Sequence, residues 1–265
     1  MKIDIIRNPL YQIPAYALLV IAGYFLFFGG FSILPLGILG LYLIYFFYLL
    51  GLSFLFTFKF SPIKLNFNFK LFISFAGLAF LAMIIMSIAN IFMGGEIYFQ
   101  TFSLNLLSFT FYLIFFQSII EEVVFRGVIF NLINAKYNLI ISLLVSSILF
   151  AFVHIDNFSI NYLALLNILL AGILLGLIYY KTQSILNAIS FHFFWNFTQS
   201  YVFGVAVSGL ESSESIFATK INNLYLNKII IGNEFGFESG LICTIILLCL
   251  SYYIYKLNNK QTTKQ

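Results

Sequence analysis

The feature that most constrains this chain is a long run of sequence without any acidic or basic side chain, from Arg7 to Lys59. At ~1.5 Å per helical residue this run is far longer than the roughly 30 Å hydrocarbon core of a bilayer. It therefore has to cross a membrane twice, and Gly29-Gly30 and Pro35 supply the break between the two crossings.

The composition excludes a water-soluble domain. Hydrophobic residues make up 62% of the 265 residues and charged residues 8%, whereas soluble domains have roughly 45–50% and about 25%. The formal net charge of +4 does not indicate nucleic-acid binding, because the lysines are scattered along the chain. We predict one integral-membrane domain over residues 1–265, with the lipid bilayer and not a nucleic acid as its partner.

Charged positions divide the rest of the chain into apolar runs that are each about one membrane span long. The runs are continuously apolar rather than alternating, which argues against a β-barrel. The predicted fold class is all-α, a polytopic membrane protein with about eight transmembrane helices. These helices are predicted near residues 10–28, 36–57, 71–93, 106–131, 139–155, 160–180, 185–207 and 240–256.

The distribution of basic residues predicts the orientation of the chain. Most lysines and arginines precede the first helix or follow the second, fourth, sixth and eighth, so both termini are predicted to be cytoplasmic. A composition rich in Phe, Ile and Asn suggests a bacterial cell membrane. The loop near 208–239, on the opposite side, is the one sizeable extramembrane segment, and it carries no motif that can be interpreted.

Small and sulfur-containing residues inside the predicted helices have simple explanations. Gly172 and Gly176 form a GxxxG pair, which is typical of close helix packing. Cys243 and Cys249 both fall in the last helix, where they are expected to be apolar residues and not a disulfide.

Three charged side chains lie inside the fourth predicted helix: Glu121, Glu122 and Arg126. An ionised group at the bilayer centre costs at least ~2.5–3.5 kcal/mol. Glu122 can offset this cost with Arg126, four residues later on the same helical face. A buried ion pair between two helices would explain these two residues, but it leaves Glu121, which points about 100° away, without a partner.

The chain has two histidines, His154 and His192, and both lie within or at the edge of a predicted helix. A lone intramembrane histidine is usually a packing residue, but two of them beside an unpaired glutamate favour a shared site. Asn196 follows His192 by four residues and projects from the same helical face; it could also make an ordinary interhelical hydrogen bond. Phe150, one turn before His154, is expected to pack beside it.

A glutamate, two histidines and an asparagine form a recognisable chemical set. A carboxylate in apolar surroundings suits general-base catalysis, and a histidine opposite it can hold the water that is deprotonated. A second histidine and an amide can stabilise an oxyanion. The set predicts attack of water on a carbonyl group, above all on a peptide bond presented at the membrane.

These residues lie in motifs that resemble those of the CPBP (Abi) intramembrane proteases, which include type II CaaX prenyl endopeptidases and bacteriocin-processing relatives. The segment 121–126, EEVVFR, resembles the EExxxR motif of that family. Likewise, 150–154 resembles FxxxH and 192–196 resembles HxxxN. Each motif alone is weak, but three in the right order on successive helices are specific. The resemblance covers about residues 106–197, which we take as the catalytic core.

The resemblance implies a role for each matching position. The implied catalytic residues are the base Glu121, its partner His154, and the oxyanion pair His192 and Asn196. Supporting positions are Glu122, Arg126 and Phe150. Counted from the ends of the predicted helices, His154 lies on the order of 10 Å deeper than Glu121. Helix tilt, a kink or a different boundary for the fifth helix would each remove this mismatch.

Two other functions remain open at this point. The chain could be a non-catalytic bacteriocin-immunity or membrane scaffold protein of the same family. It could also be a transporter with Glu121 and the histidines as a proton relay, although matched broken helices are absent from the two halves. For a protease, the expected partner is a membrane-associated peptide or protein, such as a bacteriocin or signalling precursor.

A metal site is the alternative to a metal-free one. Glu121, His154 and His192 could together bind a divalent metal such as zinc. We favour no metal, because a zinc ligand at Glu121 could not also act as the base. Metal-bound histidines also usually donate their second N–H to a carboxylate or carbonyl, and these helices hold no further acid for that purpose.

Overall fold

The structure is a computed structural model of the chain and describes residues 8–24, 37–57, 62–211 and 215–257. Several predictions fall outside these ranges. They are the cytoplasmic placement of the two terminal residues, the break at Gly29-Gly30 and Pro35, and the adjoining ends of the first two predicted helices.

The described residues form a mostly helical fold with one small sheet. The elements of the N-terminal half are α1 (Pro9–Tyr24), α2 (Gly37–Thr57), α3 (Phe69–Phe92), β1 (Glu96–Phe99) and α4 (Leu104–Glu122), which continues as a first π-helix (Val123–Phe130) and α5 (Asn131–Asn134). Those of the C-terminal half are α6 (Leu139–Phe152), α7 (Tyr162–Thr182), α8 (Ile185–Phe197) with a second π-helix (Thr198–Val202), β2 (Phe217–Lys220), α9 (Tyr225–Ile230), a 3-10 turn (Phe237–Ser239) and α10 (Leu241–Lys256).

The predicted helical fold is confirmed, with corrections to individual elements. The segment predicted over 185–207 ends its helical structure at Val202, and the one predicted over 139–155 ends at Phe152. The all-α assignment is wrong for β1 and β2, which pair antiparallel with Glu96 opposite Lys220. Both cysteines are free, as expected.

Two of the described helices, α3 and α7, are long and apolar enough to cross a membrane by length and composition. Three further apolar segments are shorter: Leu43–Thr57 within α2, together with α6 and α10. A count of eight membrane crossings therefore stays a prediction.

Asparagine side chains begin three of the helices. Asn68, Asn138 and Asn161 each stand immediately before a helix, with an extended backbone, and accept a hydrogen bond from the N–H three residues later, at 3.1, 3.0 and 2.7 Å. Each bond satisfies one of the free N–H groups of the first turn. These caps fix where α3, α6 and α7 begin.

The α6–α7 contact depends on the two glycines of the GxxxG pair. A Cβ atom at Gly172 would lie 2.8 Å from Cβ of Ser147 and 3.0 Å from its Cα. A Cβ at Gly176 would lie 2.7 Å from Leu143. The predicted close packing is confirmed, and it brings the middle of α6 close to the middle of α7.

The segment that follows the second π-helix folds back on the helices. The two ends of this segment are joined by a backbone hydrogen bond, in which the N–H of Gly209 donates to the carbonyl of Phe235 at 3.1 Å. Asn167 of α7 donates to the carbonyls of Glu238 and Gly240 at 2.8 and 2.9 Å. The C-terminal end of the loop predicted near 208–239 is therefore fixed to α7 by hydrogen bonds.

We expect Gly172→Ala to lower the free energy of unfolding by about 1–3 kcal/mol, because its methyl group overlaps Ser147. The matched control is Gly77→Ala in α3, where an added Cβ meets no atom within 4 Å. This control should be neutral or stabilising. Thermal unfolding of the two variants in detergent compares them directly, and equal stabilities would contradict the close packing of α6 on α7.

Candidate active site

The first motif contains a buried carboxylate that two basic groups share. Oε1 of Glu122 is 2.8 Å from Nη1 of Arg126 and 2.8 Å from Nδ1 of His192. The Glu122 side chain is 0% exposed and that of Arg126 is 1% exposed. The predicted pair between Glu122 and Arg126 is present, and it extends to the helix of the third motif.

Glu121 points in a different direction, as its place in the helix predicts. Its side chain remains 16% exposed. Oε1 accepts a hydrogen bond from Nε2 of Gln117 at 3.0 Å, and Oε2 lies 3.6 Å from Nε2 of His192. The expectation that Glu121 has no partner is wrong, because Gln117, one turn earlier on α4, donates to it.

A rare helix type follows the two glutamates directly. The π-helix over Val123–Phe130 begins at the next residue and carries Arg126. A second π-helix, Thr198–Val202, begins just after the third motif. Segments with this wider turn are short and uncommon, and they occur frequently at functional sites.

The second motif ends a helix and does not lie within one. Because α6 ends at Phe152, His154 stands in the turn that follows. Its Nδ1 is 2.8 Å from the carbonyl oxygen of Phe150. A carbonyl can only accept, so Nδ1 carries a proton, and Nε2 of the neutral ring is an acceptor. With the earlier end of α6, and a first-motif helix that continues to Asn134, the predicted mismatch in depth does not prevent His154 from sharing a cavity with Glu121.

Phe150 packs between Arg126 and the two histidines of the site. Its ring centroid lies 4.5 Å from Cζ of Arg126, 4.8 Å from the ring of His154 and 6.1 Å from that of His192. An aromatic face over a guanidinium is a favourable contact for a desolvated cation. Phe150 thus separates the Glu122–Arg126 pair from His154.

The third motif places His192 and Asn196 one turn apart on α8. His192 lies between the two glutamates, with Nδ1 towards Glu122 and Nε2 towards Glu121. Asn196 is 6% exposed. Its side chain lines the same cavity as His192.

One cavity joins the three motifs. Its volume is about 40 Å³, which is enough to hold water. All four predicted catalytic residues contribute to its wall: Glu121, His154, His192 and Asn196. Phe150 also lines it, whereas Glu122 and Arg126 lie behind the wall and support it.

The sequence did not predict Glu238, which lines the same cavity. Its carboxylate accepts hydrogen bonds from Nε1 of Trp195 at 3.2 Å and from N and Oγ of Ser208 at 2.8 and 3.1 Å. Burial raises the pKa of the Glu238 carboxyl group, while these hydrogen bonds lower it less strongly. The only available signal was an acid next to the start of the last helix, in a chain with few acids.

The residues suggested as metal ligands are not grouped in that way. Among the residues that the structure describes, no three His, Cys, Asp or Glu side chains are placed to hold a metal ion. The argument that the histidines lack an acceptor for their second N–H is nevertheless wrong, because the Nδ1–H group of each histidine has one. His192 donates to the Glu122 carboxylate and His154 to the Phe150 carbonyl, as metal-bound histidines usually do.

Comparison with known proteins supports the family resemblance. Residues 103–198 match the family model described as type II CAAX prenyl endopeptidase Rce1-like. This segment contains all three motifs, so the resemblance to the CPBP proteases is confirmed. No curated protein and no solved structure matches the chain. The match indicates a protease family, and together with the apolar helices it indicates a membrane protein.

Glu122→Ala should lower the free energy of unfolding by roughly 3–5 kcal/mol, because it leaves Arg126 buried without its carboxylate. Glu96→Ala is the matched control. It removes an exposed ion pair with Lys220 at 3.8 Å and should change stability little. The measurement is the yield and thermal unfolding of both variants in detergent. A stable but inactive Glu122→Ala protein would instead indicate that Glu122 takes part in the chemistry.

Proposed function

We propose that the protein is an intramembrane endopeptidase, a CPBP-type protease that hydrolyses a peptide bond of a membrane-associated peptide or protein with water activated by Glu121. The observation that carries this proposal is that two adjacent glutamates have different surroundings. Glu122 is fully buried and held by Arg126 and His192, whereas Glu121 faces a water-sized cavity.

Glu121 acts as the general base. It takes a proton from the water, and the resulting hydroxide attacks the carbonyl carbon of the peptide bond. When the C–N bond breaks, the proton on Glu121 passes to the leaving amine, so the carboxylate is regenerated. Gln117 holds Oε1 of Glu121 at 3.0 Å, which orients the other oxygen towards the cavity.

His154 positions the water. Its Nε2 is the acceptor nitrogen of the neutral ring, because Nδ1 donates to the Phe150 carbonyl. A water molecule that donates one proton to Glu121 and the other to His154 directs its lone pair away from both groups. Such an arrangement prepares the oxygen to attack a carbonyl held on the third side.

His192 and Asn196 stabilise the oxyanion. Because Nδ1 of His192 donates to Glu122, a second proton on Nε2 makes the ring a cation between two carboxylates. That N–H and the side-chain amide of Asn196 are two donors on one face of α8. Donors that are fixed before the reaction contribute strongly to stabilising developing charge.

Location, substrate and metal content complete the proposed function. We place the protein in a bacterial cell membrane with both termini cytoplasmic, and we take the site to be metal-free. The substrate is a membrane-associated precursor, such as a bacteriocin or signalling peptide with a leader. A CAAX peptide is the first compound to test because of the match over residues 103–198.

Glu121→Gln and His154→Ala should each reduce turnover at least ~10²-fold, the lower range for loss of general acid–base catalysis. Purified protein in detergent is incubated with prenylated CAAX peptides and with a library of leader peptides, and mass spectrometry identifies the products. Gly77→Ala serves as a control that should keep full activity. Cleavage at the wild-type rate by folded Glu121→Gln protein would contradict the assignment. A wild-type protein that binds peptides without cleaving any would support an immunity or scaffold function.

Metal removal should leave the activity unchanged. Elemental analysis of active protein is combined with activity measurements before and after prolonged chelation. Stoichiometric zinc, with activity lost on chelation and restored by zinc, would make Glu121 a ligand and overturn the metal-free mechanism.

A further inference from the structure

Glu238 comes from a part of the chain that the family model does not match. The model covers residues 103–198, whereas Glu238 lies in the 3-10 turn immediately before α10. Its side chain nevertheless lines the cavity together with Glu121 and His154. The cavity is therefore not built by the matched segment alone.

The backbone at Glu238 is fixed from α7. Asn167, which is 1% exposed, donates to the carbonyl groups on either side of Ser239, those of Glu238 and Gly240. Thr244 in turn donates to Oδ1 of Asn167 at 2.6 Å. These hydrogen bonds join α7, the 3-10 turn and α10, and they fix the backbone from which the Glu238 side chain projects.

The carboxylate of Glu238 accepts hydrogen bonds from three donors. Trp195 donates to Oε1, and the N–H and Oγ–H of Ser208 donate to Oε2. In the described residues no lysine or arginine forms an ion pair with it. A largely desolvated carboxylate is costly without a counterion, and an apolar residue would close this position at lower cost. Its presence at the cavity therefore calls for a role other than stability.

The partners of Glu238 lead directly to the second and third motifs. Trp195 stands on α8 between His192 and Asn196. The carbonyl of Ser208 accepts a hydrogen bond from Nδ2 of Asn157 at 3.0 Å, and the N–H of Asn157 donates to the carbonyl of His154 at 3.1 Å. One carboxylate thus connects the turn that carries His154 with the helix that carries the oxyanion donors.

The backbone of Ser208 supports this connection. Its φ angle is +49°, in the left-handed region that residues other than glycine rarely adopt. Such a conformation persists only where surrounding contacts hold it. The two bonds to Glu238 and the one from Asn157 supply these contacts.

We infer that Glu238 is a positioning residue of the active site, which sets the placement of His154 relative to His192 and Asn196 through Ser208 and Trp195. This inference rests on the proposed peptidase function. Glu238 does not replace the base, because both of its oxygens are already engaged by the loop and by α8. Its role is to hold the turn that carries His154 and the helix that carries His192 and Asn196 in place around Glu121.

The chain offers a direct spectroscopic test, because Trp195 is its only tryptophan. Glu238→Gln keeps the size of the side chain, but its amide nitrogen cannot accept from the Ser208 N–H. The matched control is Glu234→Gln in the same loop. The Glu234 carboxylate accepts a hydrogen bond from Lys228 at 3.0 Å and does not line the cavity. We expect a changed fluorescence emission spectrum in Glu238→Gln and an unchanged one in Glu234→Gln.

Hydrogen exchange and kinetics complete the test on the full-length protein. Amides of residues 153–158 should exchange about tenfold faster in Glu238→Gln, as expected when a buried hydrogen bond is lost. With a peptide that wild type cleaves, kcat should fall at least about tenfold while KM stays within about twofold. If Glu238→Gln does not fold, Ser208→Ala is the second variant, because it removes only the Oγ donor. It should change fluorescence, exchange and kcat in the same directions by smaller amounts.

The outcomes separate this inference from the proposed function. Unchanged fluorescence and exchange in Glu238→Gln, or a wild-type kcat, would overturn the positioning role while leaving the peptidase function intact. If wild type cleaves no peptide, the peptidase function fails, whereas the fluorescence and exchange measurements still decide whether Glu238 connects the two motifs.

Discussion

The Glu122 carboxylate, shared by Arg126 and His192 at 2.8 Å each, is the interaction on which the site depends. A fully buried carboxylate is tolerated only with good geometry and opposite charge, so these contacts fix the first π-helix against α8. Because Glu122 is engaged in this way, its neighbour Glu121 is the carboxylate left to face the cavity. Two adjacent, chemically identical residues thus acquire separate roles from their directions on one helix.

Much of the helical fold, and the residues that line the candidate site, could be predicted from the sequence, because the signals are local. Long charge-free runs indicate helices, and charges or histidines within them stand out where an apolar environment makes them costly. Glu122 and Arg126 are four residues apart, so helical geometry alone predicts their pairing. The resemblance of three motifs then indicates which groups to combine, and the structure brings Glu121, His154, His192 and Asn196 to one cavity.

The features that were missed depend on contacts between distant parts of the chain. Glu238 meets Trp195 across 43 positions and Ser208 across 30, and no pattern near Glu238 indicates either contact. The π-helices and the β1–β2 pair also follow from tertiary packing, which periodicity does not show. The end of α6 at Phe152 was also missed; in the turn that follows, His154 bonds the carbonyl of Phe150, four residues earlier.

The central claim is that Glu121 activates water for cleavage of peptides at the membrane. Comparative peptidomics of membranes that carry either wild-type or Glu121→Gln protein tests it most directly, because every peptide in the membrane is sampled whatever the substrate is. We predict peptides that occur only with the wild-type protein, together with their uncleaved precursors in membranes of an equally abundant, folded Glu121→Gln variant. Identical peptide populations in the two membranes would contradict the claim.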